Sequence, residues 1–524
     1  MQKFSWTLFY CLALVHLSGC ATTQPIPVVV EKNTKTITLL FTNDLESAYE
    51  PVPAFWRDDM ARIGGIAELT TLINQLRAAE PNSFLFDAGD IFTGTLSKRS
   101  QGELAFELML TMDYDAMCIG NHEFEYGWKT LAAQKNRASF PVLGANLFYR
   151  GTENPYAQPY AIIERDGVRI GVIGILGQDA ATALIPSNIA GLDVHDPIPV
   201  VARYVNELRG QVDLVVLLTH QGKTAPMQTD DEGRPDVQRD IDADMALAGS
   251  VDGIDVLLAG HADAGTRKPV VHPDTGTLIM QTFGQGQHLG VLQLQLDRET
   301  GDIIGYEGRL IAVDSDALTP DPKVVEKLRR YRDENPDIQA KVGTTQSRMN
   351  RQYNRESDLG NLYADIVRRY ADAEVGLMPS GALRKDLPEG DIRYVDLLDS
   401  FPFEDRVATM TLSGAVLRQL IEQGLSLERG MLQVSGLSIV YDPQAPVGQR
   451  SLRILVNGDP LDEARQYRVG TIEIVAAGGD LYSQAKGSLE TVYADRSFAN
   501  VLLDFFRSQS SVGLAPAGRL LPAR

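Results

Sequence analysis

The chain has 524 residues, 44% of them hydrophobic and 23% charged, which is enough for two or three domains and excludes a disordered protein. Its formal net charge of −20 disfavours nucleic-acid polymers and anionic membrane surfaces as partners. A phosphorylated small molecule remains open, because a bound divalent cation reverses the local field.

The first twenty residues read as a targeting segment. Lys3 supplies a basic start, Trp6 to Leu17 an apolar stretch, and Leu17-Ser18-Gly19-Cys20 resembles a bacterial lipobox. The stretch is short for a membrane span, which needs about 20 apolar residues. Cys20 is therefore expected as the lipidated amino terminus of an exported bacterial lipoprotein. Ala21 gives no inner-membrane retention signal, so the expected place is the outer membrane, facing the periplasm or the cell surface. Residues 21–35, with Pro25 and Pro27, read as an extended tether. Cys11 leaves with the signal, so Cys118 alone remains, expected as a core thiol in a chain without disulfides.

From residue 36 to 318, apolar strand-like runs alternate with helical patterns, the mark of a layered α/β domain. The runs are Ile37–Phe41, Phe84–Phe86, Ala116–Ile119, Leu214–Leu218 and Val256–Leu258. Helical spacing runs over Ile63–Ala79 and Val200–Leu208, and Asp166-Gly167 predicts a hairpin turn. Residues 319–340, with Pro320, Pro322 and Pro336 around a charged helix, predict a linker. Residues 341–510 alternate short strands and helices as a second α/β domain, starting with a helix at Asp358–Tyr370, and 511–524 form a tail. No internal repeat interrupts the pattern.

Each of the five apolar runs is followed by Asp, Asn, His or Glu, residue types able to ligate a metal. The segments are Asn43-Asp44-Leu45-Glu46, Gly89-Asp90, Gly120-Asn121-His122-Glu123, Thr219-His220 and Gly260-His261-Ala262-Asp263. A single strand-end Asp is more often a turn or cap residue. Five such ends in an α/β sheet can converge on one site, and carboxylate, amide and imidazole together suit hard and borderline metals. The order and wording of these segments resemble the calcineurin-like metallophosphoesterases, specifically the 5′-nucleotidase family.

The resemblance implies a layered β-sandwich metallophosphoesterase domain flanked by helices, a substrate-binding domain behind it, and two divalent metals that activate water. It implies Asp90 as the bridging ligand, with Asn121, His220 and His261 on one metal. Asp44, Glu46 and Asp263 would complete the other. Glu46 stands where the family has His, and Asp263 where it has His, Gln or Asn. An all-oxygen site shifts the expected metal toward Mn²⁺, with Zn²⁺, Mg²⁺, Ca²⁺ or iron as the other choices. His122 would assist the leaving group, oriented by Glu125, which is one methylene longer than the family's Asp. Asp87 reads as a supporting residue.

In the second half, the segments containing Arg355, Gly381-Ala382-Leu383-Arg384, Pro402-Phe403 and Gly478-Gly479-Asp480 resemble those with which the family holds its substrate. Arg355 and Arg384 would bind phosphate or ribose oxygens, Phe403 would stack on a base, and Asp480 would accept from ribose hydroxyls. Pro379 and Ile474 replace an amide and a second aromatic of the family's base site. The expected activity is hydrolysis of nucleotide phosphate esters. The alternatives are a 2′,3′-cyclic phosphodiesterase or UDP-sugar hydrolase, and a lipoprotein that binds nucleotide without turnover.

Overall fold

The structure, a computed structural model, describes residues 34–54, 56–222 and 240–523. The expected signal peptide, Cys20 and nearly all of the tether lie outside the described residues. Two six-stranded sheets build the first domain. One has the order Ile303–Ala312, His288–Asp297, Thr34–Thr42, Ser83–Asp87, Ala116–Cys118, Val142–Leu143. The other runs Val270–Val271, Leu278–Gln281, Val256–His261, Leu214–Gln221, Val168–Leu176, Tyr160–Arg165.

Period-two geometry explains the continuous apolar runs, since strands covered on both faces need apolar residues at every position. Ile37, Leu39, Phe41, Phe84, Phe86, Val216, Leu218, Val256 and Leu258 fill the layer between the sheets. Their neighbours Leu40, Leu85 and Met117 point outward to helices Ile66–Ala79 and Glu103–Met112. Val215, Leu217 and Leu257 face the opposite helical layer, Pro197–Leu208 and Asp242–Ser250. Cys118 is fully buried between the sheets, as expected of a core thiol. Thr34–Thr42, Ser83–Asp87 and Ala116–Cys118 run parallel, as do Val168–Leu176, Leu214–Gln221 and Val256–His261. Their carboxyl ends therefore open on one edge of the sandwich.

Three details differ from the sequence reading. The first helix starts at Ile66 rather than Ile63, because Arg62–Gly64 pairs with Pro51–Pro53 as a small hairpin. The step from this strand into the helix uses left-handed backbone at Gly64 and Gly65, φ 84° and 89°. The linker helix, Pro322–Glu334, is docked on the first domain and not free: Val324, Leu328 and Tyr331 are buried, and Arg330 pairs with Glu107 at 2.6 Å. The chain then passes through a single turn, Pro336–Gln339, into the second domain. Finally, the stretch read as a tail adds strand Leu520–Pro522 beside Leu437–Tyr441, and Arg519 pairs with Asp365 at 2.8 Å.

The second domain holds a five-stranded sheet, Leu432–Ser435, Val375–Pro379, Gln466–Ile472, Arg406–Ser413, Glu490–Ser497. Helix Asp358–Tyr370 packs on it and has the bounds read from the sequence, its first turn capped by Ser357 Oγ, which accepts from Gly360 N at 3.1 Å. Among the described residues, no helix is long and apolar enough to cross a membrane.

Candidate metal centre and substrate cavity

Past the parallel strand ends, the backbone turns sharply at residues that normally avoid it. Asp44, Glu46, Asp90, His261 and Asp263 all have positive φ, between 42° and 76°. A non-glycine residue in that region is strained and persists only when its surroundings fix it. They do so here: Asp44 N donates to Gly89 O and Glu46 N to Asp90 O, both at 2.9 Å. His261 N donates to Asp44 Oδ2 at 2.8 Å, and His122 N to Asp90 Oδ1 at 2.7 Å. Beneath them the Glu123 carboxylate accepts from the backbone N–H of Gly120, Asp90 and Ile91 at 2.7–2.9 Å. Asp87 takes the supporting role read for it, accepting from Thr42 Oγ1 at 2.6 Å and Gly89 N at 2.9 Å.

Four side chains meet at His220 Nε2. Asp90 Oδ2 lies 2.9 Å away, Asn121 Oδ1 3.2 Å and His261 Nδ1 3.2 Å, with Asp44 Oδ1 at 4.0 Å. His220 Nδ1 is held by the Ala88 carbonyl at 2.8 Å, which aims Nε2 into the cluster. A second group gathers beside it: Glu46 Oε1 is 3.3 Å and Asp90 Oδ2 3.9 Å from His122 Nε2. Both groups have ligand atoms close enough to hold an ion, and Asp90 belongs to both. Asp263 is buried behind Asp44, the two flanking Gly284.

The chemistry of this donor set fits divalent metal. Two imidazole nitrogens, an amide oxygen and a carboxylate oxygen converge on one point, a donor set that divalent metals take. Asn121 Nδ2 and His261 Nε2 are buried with no hydrogen-bond partner. Charge is unevenly distributed. Burial raises the Asp44 carboxyl to about 7, the neighbouring Asp90 adding to it against the pull of His220. Burial also works against ionised Asp90, but His220 and His122 outweigh it and hold Asp90 below the usual carboxylate range. His220 is raised to about 10, the Asp90 carboxylate reversing the effect of burial. His261 falls well below its ordinary value, through burial first and then the positive neighbours His220 and Arg429.

His122 sits at the boundary between the domains. Its Nδ1 is 2.7 Å from Glu125 Oε1, so the longer side chain reaches. Burial disfavours the imidazolium, yet Asp90, Glu125 and Glu46 reverse this and hold His122 well above its ordinary value. The second domain reaches in with Arg384, whose Nη2 lies 3.2 Å from His122 Nε2 and 3.8 Å from Glu46 Oε1. Phe403 lies nearly parallel to the His122 ring, centroids 6.1 Å apart, with the Arg384 guanidinium 5.1 Å from its centroid.

These groups line a cavity of about 740 Å³, a volume that includes the open solvent at its mouth. Asn121, His122 and Glu125 form one end, and Phe403, Ile474, Pro379, Leu184 and Ile185 give it an apolar wall. Asp480 lines it too, its backbone N–H tied across the domain boundary to Thr182 O at 3.0 Å. Arg355 is not brought there: its side chain is exposed and donates to Gln352 at 3.1 Å.

Three lining residues, Tyr353, Asp405 and Arg429, carried no sequence signal beyond their types. Asp405 stands two positions after Phe403, a proximity that could have drawn attention to it. Its Oδ1 accepts from Ile474 N at 2.7 Å. Burial raises its carboxyl to about 7, with Glu125, Glu473 and Asp480 adding to the shift.

Comparison with known proteins follows the same division. Residues 37–262 match the family model for calcineurin-like phosphoesterases, and residues 338–487 that for the 5′-nucleotidase C-terminal domain. A 5′-nucleotidase of Vibrio cholerae is 26% identical over 569 residues, covering 97% of both chains. A trifunctional nucleotide phosphoesterase of Bacillus subtilis is 28% identical over 481 residues, covering 81% of this chain and 32% of its own. The crystal structure of a 5′-nucleotidase precursor from Thermus thermophilus superposes with a TM-score of 0.81 at 26% identity, over 93% of this chain and 99% of the other. A sulfate thiohydrolase from the same organism shares the fold, with a TM-score of 0.74 at 21% identity over 93% of this chain and 96% of the other.

Proposed function

This chain belongs to the 5′-nucleotidase family, joining a calcineurin-like phosphoesterase domain to a 5′-nucleotidase C-terminal domain, and on that premise we propose how its residues divide the hydrolysis of a nucleotide phosphoester. The observation that carries the reading is the convergence of Asp90, Asn121 and His261 on His220 Nε2, beside His122 and at one end of the cavity between the domains. Asp90, Asn121, His220 and His261 would hold one divalent cation, and Asp44, Glu46, Asp90 and Asp263 the other. The cations, when bound, neutralise phosphate charge and acidify water.

The remaining work falls to side chains. His122 holds a proton on Nε2, facing the cavity, and gives it to the oxygen that departs from phosphorus. Glu125 fixes the ring through Nδ1, so Nε2 stays aimed as the reaction proceeds. Arg384 brings a guanidinium to the same point, where it binds phosphate oxygens and pairs with the Glu46 carboxylate. Phe403 and Ile474 would hold the base, and Asp480 the ribose. An aliphatic partner in place of a second ring weakens a stacking term of about 1–3 kcal/mol. The carboxylate-rich second site supports a preference for Mn²⁺. The expected lipid on Cys20 would tether the enzyme to the outer membrane.

The test uses the protein starting after Cys20. Chelation should abolish phosphate release from AMP, and Mn²⁺ should restore it best among Mn²⁺, Zn²⁺, Mg²⁺ and Ca²⁺. His122→Ala should lower kcat by roughly 10²–10⁴-fold while metal content by mass spectrometry is retained. Undiminished turnover in that variant excludes His122 as the proton donor. UDP-glucose and 2′,3′-cyclic AMP, assayed alongside, distinguish the two hydrolase alternatives.

A further inference from the structure

Each six-stranded sheet of the first domain has two edges, and three of the four are short or tied back. Val142–Leu143 and Val270–Val271 offer two residues each. Tyr160–Arg165 offers six, and its last side chain is tied to the other sheet, Arg165 Nη2 donating to Asp115 Oδ1 at 2.7 Å. The fourth edge is different. Ile303–Ala312 runs for ten residues beside His288–Asp297, and among the described residues no strand pairs with its other side.

An open edge is a template for another strand, and proteins usually blunt one with Lys, Pro or a bulge. Residues 303–312 contain neither Lys nor Pro. The one irregularity in their pairing falls at Gln295 and Leu296, beside the strand's first residues. Ile304 is 39% exposed and Tyr306 48%, apolar side chains left uncovered along this edge. The even positions face the second sheet: Tyr306 lies opposite Leu294 and Gly308 opposite Leu292, and a Cβ on Gly308 would come within 2.5 Å of Pro269. Glu307 and Arg309 belong to the other face of the strand. Among the described residues, neither has an ion-pair partner.

We propose that this edge pairs with the same edge of a second copy, antiparallel about a twofold axis at Gly308, joining two first domains through one continuous sheet. The strand's sequence is self-complementary in that register. Glu307 of one copy faces Arg309 of the other, and the twofold repeats the pair. Tyr306 faces Leu310, Ile304 faces Ala312 and Gly305 faces Ile311. Apolar therefore meets apolar, and two of the bulky side chains face a small one. Directly opposite positions bring Cβ atoms about 4.5–5.5 Å apart, close enough for both kinds of contact. Centring the pair one residue either way sets Glu307 against Glu307 or Arg309 against Arg309, so charge selects the register. Affinity comes from new main-chain hydrogen bonds and from covering Ile304 and Tyr306, and the ion pairs add specificity. The net charge of −20 on each copy opposes association, but at physiological salt it is screened beyond about 8 Å. A twofold contact closes on itself, which ends assembly at two copies. None of these residues lines the cavity, so the contact is independent of the hydrolase reading.

The experiment is sedimentation velocity over a concentration series, on the protein starting after Cys20 and on its charge-reversal variants. Wild type should form a dimer. Glu307→Arg and Arg309→Glu each set like charges face to face twice, and each should raise the dimer dissociation constant roughly 10- to 100-fold. The double variant, which exchanges the two charges, should return to within about threefold of wild type. Hydrogen exchange at residues 303–312 should slow as the wild-type concentration rises. Thermal unfolding establishes that the variants fold. Tyr306→Lys, which blunts the edge with a charge, is the dissociating variant if either reversal does not fold. A wild-type protein that stays monomeric overturns the inference, and exchange at 303–312 that is slow at every concentration would then assign the edge to another part of the same chain. A dimer indifferent to both charge reversals overturns it too, placing the interface elsewhere.

Discussion

Glu46 and Asp405 are two carboxyl groups placed in opposite surroundings. Glu46 is buried, yet Arg384 and His122 hold its carboxyl below the usual range, so it is charged and available to a cation. If it is a ligand, Glu46→Gln should reduce bound metal from two equivalents toward one, read by mass spectrometry of the loaded protein. A full complement of metal in that variant would leave Glu46 as the partner of His122 and Arg384 only. Asp405 is raised to about 7, against about 3.8 when unfolded, so the folded protein holds a proton that the unfolded chain has already lost. Its contribution is fully present below pH 4 and declines as pH rises to 7, by up to about 1.4 kcal/mol per pH unit. Asp405→Asn should remove that slope: wild-type stability relative to the variant falls between pH 4 and 7 and is flat above. Parallel urea-unfolding curves at every pH would refute the assignment.

At the scale of elements, the site depends on how tightly neighbouring strand ends approach. Gly89 has φ 91°, and a Cβ on it would lie 2.8 Å from both Gly120 N and His220 Nδ1. Gly89→Ala therefore strains the backbone and displaces His220 from the Ala88 carbonyl. A loss of about 2–4 kcal/mol is expected in urea unfolding, with weaker metal binding alongside. Stability within about 0.5 kcal/mol of wild type would mean that the loop adapts, as surface positions do. Glu123 works on the same loops. Its place in the sequence motif is plain, but its task, accepting four backbone N–H groups from two strand ends, depends on a parallel pairing that no local pattern encodes.

Across the whole molecule, the two domains meet at the reacting groups and at a set of polar contacts around helix Thr95–Arg99. Thr95 Oγ1 donates to Asp399 at 2.5 Å, Lys98 pairs with Glu404 at 2.9 Å and Arg99 with Asp337 at 2.5 Å. The connecting helix is docked on the first domain, so relative movement must come from the turn at Pro336–Gln339. If domain rotation accompanies each turnover, a disulfide between Thr95→Cys and Asp399→Cys should lower kcat at least tenfold, and a reductant should restore it. Equal rates in the oxidised and reduced forms would exclude that requirement.

The order of five strand-end motifs was enough to determine the family and the reaction class, and it named Asp90, His220 and His261, which the fold brings together. Each motif is local, a polar residue set by the end of an apolar run, and local patterns are what a linear chain displays. The sequence also determined the two-part layout and the bounds of helix Asp358–Tyr370, whose cap and amphipathic spacing lie within a few residues of each other. Only the tertiary structure decided which of the second domain's cations reach the cavity. Arg355, near a recognisable motif, stays on the surface, while Arg429, with no motif, is carried in by a turn packed on Tyr353. The reason is physical: an arginine's sequence neighbours fix where its backbone begins. Where its guanidinium ends depends on the loops and the facing domain that pack around it.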